Sequence, residues 1–576
     1  MNADATAGVH DPALRLALSQ HWEWTLSRWP ELATRLGDHR YDDQLTDRAP
    51  AAAVADIQHY ALMIERAEAV GGAHLSDADR ITLQLFTADL KASQALTACR
   101  MDRWSVGVRD NPVVWMNELA ETHPLQSPAD GANLIRRYKA MPTAIRDHIA
   151  ALREGLNLGT VANAESVRRT LKLVEDALAL PAARWQVAVR ASEPHPGWTT
   201  TQSARFAAEA AELAERALRP ALRGYADFLS AEVLPRARPD DAAGLSSLPD
   251  GSACYAALIE HHTSLALDPA ELHAAGLSEL DQVHADMRAL GARLFGTSDL
   301  AAIFKRLRED RSLYFSSSAE VEAKAAEALA RAQAAVPSVF EALPSAGCEV
   351  RPIPEYEAPF TTIAYYMPAV PDEAPGYYYV NSYAPETRPR YEAEVLAFHE
   401  SVPGHHLQIA FAQELGELPA FRRHLGSTAF VEGWALYTER LADELGLYSG
   451  DLDRMGMLSF DAWRGARLVV DTGIHAFGWS RGQAETFMRA NTPLAENNIV
   501  NEVDRYISWP GQALAYKVGQ REILRLRAES AKALGEKFNI KAFHRTLLSG
   551  GAVSLPVLRA QVARWQAAVR QASAAR

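Results

Sequence analysis

Across its 576 residues the sequence has only three cysteines, Cys99, Cys254 and Cys348. Their wide separation excludes a dense disulfide framework and a CxxC metal knuckle, and is read as three buried, reduced, structural thiols. No uninterrupted apolar run reaches about 18 residues, so no membrane span is expected. The opening MNADATAGVHDPALRLALSQHW lacks a basic stretch followed by an apolar one, which leads to the expectation of a cytoplasmic protein. An excess of positive charge is also missing. The formal net charge of -13 repels phosphate backbones and anionic lipid, so neither nucleic acid nor a membrane is an expected partner. The absence of internal repeats excludes a solenoid.

What is present is a globular composition: 48% hydrophobic and 23% charged residues are enough for a large buried core and argue against disorder. From residue 11 to about 235, stretches such as SARFAAEAAELAERALRPALRGYADFLSAEVL repeat apolar residues three and four apart, the period of amphipathic helices. The polar, Pro-containing segment PRARPDDAAGLSSLPDGS (235–252) interrupts them and is the expected boundary between an N-terminal helical region (1–240) and a second helical region (250–576). Asp268 is placed to cap a helix that starts at Pro269. Between about 348 and 385, aromatic and β-branched runs broken by Pro and Gly predict a few short strands in a small antiparallel sheet. The expected fold is therefore mainly α, with helices around a deep cleft and this sheet beside it.

The chemistry concentrates at 399–408, HESVPGHHLQ. Zinc-dependent hydrolysis needs three protein ligands, an open position for water and a carboxylate to take the water's proton. His399 offers a first ligand, Glu400 the base, and His405 or His406 a second ligand. In an ideal helix residues six apart differ by about 240°, and residues seven apart share a face but lie about 10 Å apart along the axis, so neither pair can chelate one ion. Pro403 and Gly404 predict a bulge within the helix that absorbs the extra residues. In FVEGWALYTERLADEL, helical spacing puts Glu432 and Glu439 on one face. Glu432, bracketed by Phe430, Val431 and Trp434, is the stronger candidate for a third ligand; Glu439 either orients a histidine or is itself the ligand.

Two later segments carry further polar groups. In RLVVDTGIHAFGWS, Arg467, Asp471 and His475 share a helical face, and Asp471 is positioned to hold His475 in one tautomer. In EVDRYISWPGQALAYKVGQREI, Arg505 and Lys517 are candidates to receive a substrate carboxylate. An extended peptide can add to a sheet edge, which makes Tyr379 and Asn381 candidate contacts in the likeliest strand.

The strings HESVPGHHLQ, FVEGWALYTERL, RLVVDTGIHAFGWS and RYISWPGQALAYKVG together resemble the domain-of-unknown-function 885 family of bacterial proteins, which look like gluzincin zinc peptidases. LATRLGDHRYDDQL and PGYYYVNSY extend the resemblance over most of the chain. A fainter similarity to carboxypeptidase Taq, thimet oligopeptidase and dipeptidyl peptidase III aligns Gly404-His405 with the Gly-His of their HExGH or HExxGH motifs and favours His405 as second ligand, leaving His406 either to support a ligand from behind or to face substrate. The resemblance implies one zinc per chain on His399, His405 and Glu432, Glu400 as general base, and Tyr516 or His475 as donor to the developing oxyanion. The expected function is hydrolysis of short peptides; a homodimer is compatible with it. The alternatives are hydrolysis of a specialised small-molecule amide or conjugated amino acid, and a non-catalytic helical metal-binding protein.

Overall fold

The computed structural model describes residues 4–354, 358, 363–369 and 375–574. It is mainly α-helical, as the periodicity predicts. Short polar residues start many of the helices by accepting backbone N–H groups that have no partner within the helix. Ser76, Asn111 and Asn163 do so, and Asp268 accepts from Ala270 and Glu271 ahead of a helix that begins with Pro269. Among the described residues no helix is long and apolar enough to cross a membrane.

Buried apolar side chains form two clusters. The smaller runs from Val106 to Val233, and the larger joins Ala5–Trp104 to the chain from Ala243 to Val562. The 235–252 segment is thus where the chain leaves the smaller cluster and returns to the larger. The larger one is organised by the helix Asp451–His475, which is buried at every position from Met455 to His475 and is therefore enclosed on all sides. One neighbour is the helix Pro269–Phe295, where a Cβ on Gly276 would lie 2.7 Å from Val469. Helices Thr428–Glu444 and Ala515–Leu534 approach still more closely, because a Cβ on Gly519 would meet the Ala429 carbonyl oxygen at 1.8 Å and one on Gly433 the Gly519 backbone at 2.4 Å.

Two expectations need correcting. The sheet is mixed: β1 (Cys348–Pro352) runs parallel to β3 (Gly376–Val380), and β2 (Ala364–Met367) runs antiparallel to β3 on its other side. β3 lies between the two earlier strands and pairs with both, in opposite senses. The 355–357, 359–362 and 370–374 parts of the expected strand region lie outside the described residues. Second, Cys99 and Cys254 are joined in a disulfide, and only Cys348 is a free, buried thiol. The bridge ties the end of helix Asp77–Ala98 to helix Gly251–Thr263 across 155 residues of sequence, a pairing that spacing alone does not encode.

Candidate metal centre

The helix Ala393–Glu400 ends immediately after His399, and a new helix, His405–Gln413, begins at the next histidine of the motif. The expected bulge is thus a complete break. Residues 401–404 form a turn containing a cis Val402–Pro403 peptide, and the His406 N–H reaches back to the Ser401 carbonyl at 3.1 Å. Gly404 is needed for closeness: a Cβ there would lie 1.9 Å from the His399 carbonyl oxygen. The Trp434 indole N–H donates to the Pro403 carbonyl at 3.0 Å, so the helix Thr428–Glu444 pins the turn.

This break brings His405 beside His399, with ring centroids 4.8 Å apart and planes nearly perpendicular. Glu432 completes the group. Its Oε2 lies 3.7 Å from His399 Nε2 and 3.5 Å from His405 Nε2, and one ligand atom from each of the three residues lies within 4.8 Å of the others. Ligands at zinc distances of about 2.05 Å in a tetrahedral arrangement stand about 3.3 Å apart, so the set fits one zinc ion with a modest contraction. The Nδ1 of His399 is held at 2.7 Å by Glu439, a buried carboxylate on the same helix as Glu432. This is the orienting carboxylate expected behind a metal-binding imidazole, and it leaves Nε2 facing the cluster. Burial opposes the charge on His399, but bonding to Glu432 and Glu439 carries its pKa up to about 9. Burial likewise opposes charge on Glu432, yet its bonds to His399 and His405 hold it well below the carboxylate range.

The cluster opens into a cavity of about 380 Å³. Glu400 lines it next to His399, β2 contributes Tyr365 and Tyr366, and Trp463, Arg464, Arg467, Arg505 and Tyr516 line it as well. The Tyr516 hydroxyl accepts from Arg505 at 3.2 Å, and Arg467 stacks 4.4 Å above its ring. Glu400, Tyr516 and Arg505 are thus brought to the cavity with the three candidate ligands.

Other sequence candidates lie elsewhere. His475 is fully buried and absent from the cavity wall; its Nδ1 accepts from the Leu245 N–H at 3.2 Å and its Nε2 donates to the Tyr506 carbonyl at 2.9 Å, which leaves no donor for an oxyanion. Asp471 does not hold it, because its carboxylate accepts from Tyr255 at 2.5 Å and from the Gly511 N–H at 3.1 Å. Lys517 is buried in ion pairs with Asp461 and Glu279 rather than facing a substrate. His406 turns to the sheet, 3.0 Å from the Tyr366 hydroxyl, and burial pushes its pKa down to about 4. Tyr379 packs behind the wall against Tyr365, ring centroids 5.0 Å apart, and Asn381 donates to the Ala358 carbonyl at 2.8 Å. Sequence reading does not single out Arg464, because Asp461 three positions earlier offers it an ordinary ion pair within the helix, whereas in the structure Asp461 pairs with Arg440 and Lys517.

Fold and site together define a mainly helical protein with a His-His-Glu cluster on a broken helix, facing an arginine-lined cavity. The chain belongs to the family described as bacterial protein of unknown function (DUF885), whose profile matches residues 30–562. No curated protein matches it. Among solved structures it is similar to a candidate lipoprotein from Colwellia psychrerythraea, with 25% identity, coverage of 96% of this chain and 99% of that one, and a TM-score of 0.88. It also resembles, at 18% identity, the same two coverages and a TM-score of 0.75, a candidate lipoprotein of unknown function from Shewanella oneidensis.

Proposed function

We propose that the protein is a metal-dependent hydrolase of short peptides or related small amides, of the gluzincin type. The observation that carries the reading is the convergence of His399, His405 and Glu432 within 4.8 Å of one another, beside Glu400 and with Glu439 on the rear of His399. A zinc ion held by these three residues would supply Lewis acidity and a water acidified towards neutral pH. Glu400 accepts the proton of the attacking water and delivers it to the leaving amine. Tyr516, whose hydroxyl accepts from Arg505, is free to donate its own proton to the oxyanion developing on the scissile carbonyl. A cavity of about 380 Å³ lies at the small end of ligand sites and favours short substrates over folded protein.

The deciding experiment pairs metal analysis with a Glu400→Gln variant, profiled on dipeptide and acyl-amino-acid libraries. One zinc per chain in both proteins, with turnover falling by at least about 10²-fold in the variant, is the expected result. Unchanged turnover in Glu400→Gln would defeat the mechanism, and a protein that takes up no metal would leave His399 as a buried imidazolium between two carboxylates.

The disulfide also bears on location. Such bonds persist in oxidising compartments, so we propose an extracytoplasmic site of action in place of the cytoplasmic expectation. The description of the Colwellia relative as a candidate lipoprotein agrees with this.

A further inference from the structure

The cavity is lined by three arginines, Arg464, Arg467 and Arg505, and one of them has no carboxylate partner. Arg464 is 4% exposed, lines the cavity, and has no carboxylate within ion-pair distance among the described residues. Its Nε and Nη1 are buried without any hydrogen-bond partner, and its guanidinium is held between Phe460 and Trp463, 4.4 and 4.3 Å from their ring centroids. Arg467 and Arg505 adjoin it. They share one carboxylate, Glu502, at 2.9 and 3.4 Å, and each retains an unpartnered buried N–H, on Nη1 of Arg467 and Nε of Arg505. Two of the three guanidinium groups thus pair with Glu502, and Arg464 pairs with no described carboxylate.

Glu439, the acid that attracts Arg464 most, makes no ion pair with it and is engaged by His399 Nδ1 at 2.7 Å. Glu392 feels Arg464 electrostatically but makes no ion pair with it, and burial pushes its carboxyl up to about 7. Leaving a buried guanidinium unpaired costs stability, a cost that a ligand carrying the opposite charge offsets. The guanidinium edge formed by Nε and Nη2 is the fork that matches a carboxylate's two oxygens; on Arg464 Nε is unpartnered, no described residue bonds to Nη2, and the stacking on Phe460 and Trp463 fixes the plane.

We propose that Arg464, with Arg467 and Arg505, binds a free carboxylate of the substrate. Resting on the hydrolase reading above, this narrows the substrate class to peptides engaged through a terminal or side-chain carboxylate, or to acylated amino acids, and disfavours internal segments of long chains.

Calorimetric titration of the full-length protein tests it with three probes: N-acetyl-L-alanine, its uncharged amide, and N-acetyl-L-aspartic acid α-amide, which carries only the side-chain carboxylate. At least one acid is expected to bind tenfold or more tightly than the amide, and which acid does so identifies the source of the carboxylate. Arg464→Met should abolish that preference. Arg464→Lys, which keeps the charge but not the fork, should retain a reduced one and guards against a folding defect. Equal binding of acids and amide by the wild type, or an undiminished preference in Arg464→Met, overturns the proposal. Acid preference without any hydrolysis counts against the hydrolase reading alone, and hydrolysis without acid preference counts against the carboxylate subsite alone.

Discussion

Glu439 shows how much of this site depends on a residue that would touch no substrate. Its Oε1 holds His399 Nδ1 at 2.7 Å, and its main chain belongs to the same helix as Glu432, so one helix supplies both a candidate ligand and the group that aims another. Glu439→Gln keeps the shape but loses the charge, and the side chain can present its N–H₂ to Nδ1 instead of its oxygen. Zinc affinity measured by competition with a chelator should fall about 10- to 100-fold, with far smaller loss of thermal stability. A Glu432→Gln variant should lose metal more completely.

At the scale of single elements, the site depends on two helices meeting at glycines. Gly433 lies one residue after Glu432, and its neighbour across the contact is Gly519, three residues after Tyr516. The close approach thus sets the distance between a candidate ligand and the candidate oxyanion donor. Gly519→Ala puts a methyl group 1.8 Å from the Ala429 carbonyl, a clash with backbone that no rotamer relieves. Chemical denaturation should show a loss of about 3 kcal/mol or more, and any folded remainder should have reduced turnover because Tyr516 moves away.

The buried helix Asp451–His475 contributes an acid sensitivity. Burial pushes the pKa of His475 down to about 3, against 6.5 for an ordinary histidine. Because the folded value is depressed, the unfolded chain binds the extra proton first as pH falls, and stability is lost below about 6.5. From pH 6.5 to 5 this one residue costs about 2 kcal/mol. His475→Gln can still accept from Leu245 and donate to Tyr506, so its denaturation midpoint should change less between pH 7 and 5 than the wild type's.

On the scale of the whole molecule, the Cys99–Cys254 bridge attaches the N-terminal helices to the core that carries the site. Closing a loop of 155 residues has a chain-entropy value of up to about 5 kcal/mol, of which about 2–4 is typically realised. Reduction should therefore lower the thermal midpoint by several degrees, and thiol titration of the denatured, unreduced protein should find one free cysteine, Cys348. Three thiols would indicate that the bridge does not form.

The sequence by itself determined the helical architecture, because apolar residues spaced three and four apart leave the chain little alternative, and it pointed to His399, Glu400, His405 and Glu432 through residue type and local order. It also marked Pro403 and Gly404 as the place where the helix must yield, though not that it breaks completely. Only the tertiary structure decided the rest. Whether His405 or His406 faces Glu432 depends on a turn pinned by Trp434 from another helix. That His475 serves the interior while Arg464 on the same helix faces the cavity depends on which neighbour covers each side of that enclosed helix, and Lys517 is drawn inward by Asp461 of that helix and by Glu279 of Pro269–Phe295. Periodicity distinguishes a buried face from an exposed one, and a helix buried all round has no such contrast to read. The disulfide and the parallel pairing of β1 with β3 are likewise contacts between distant segments, set by how the whole chain packs rather than by any local pattern.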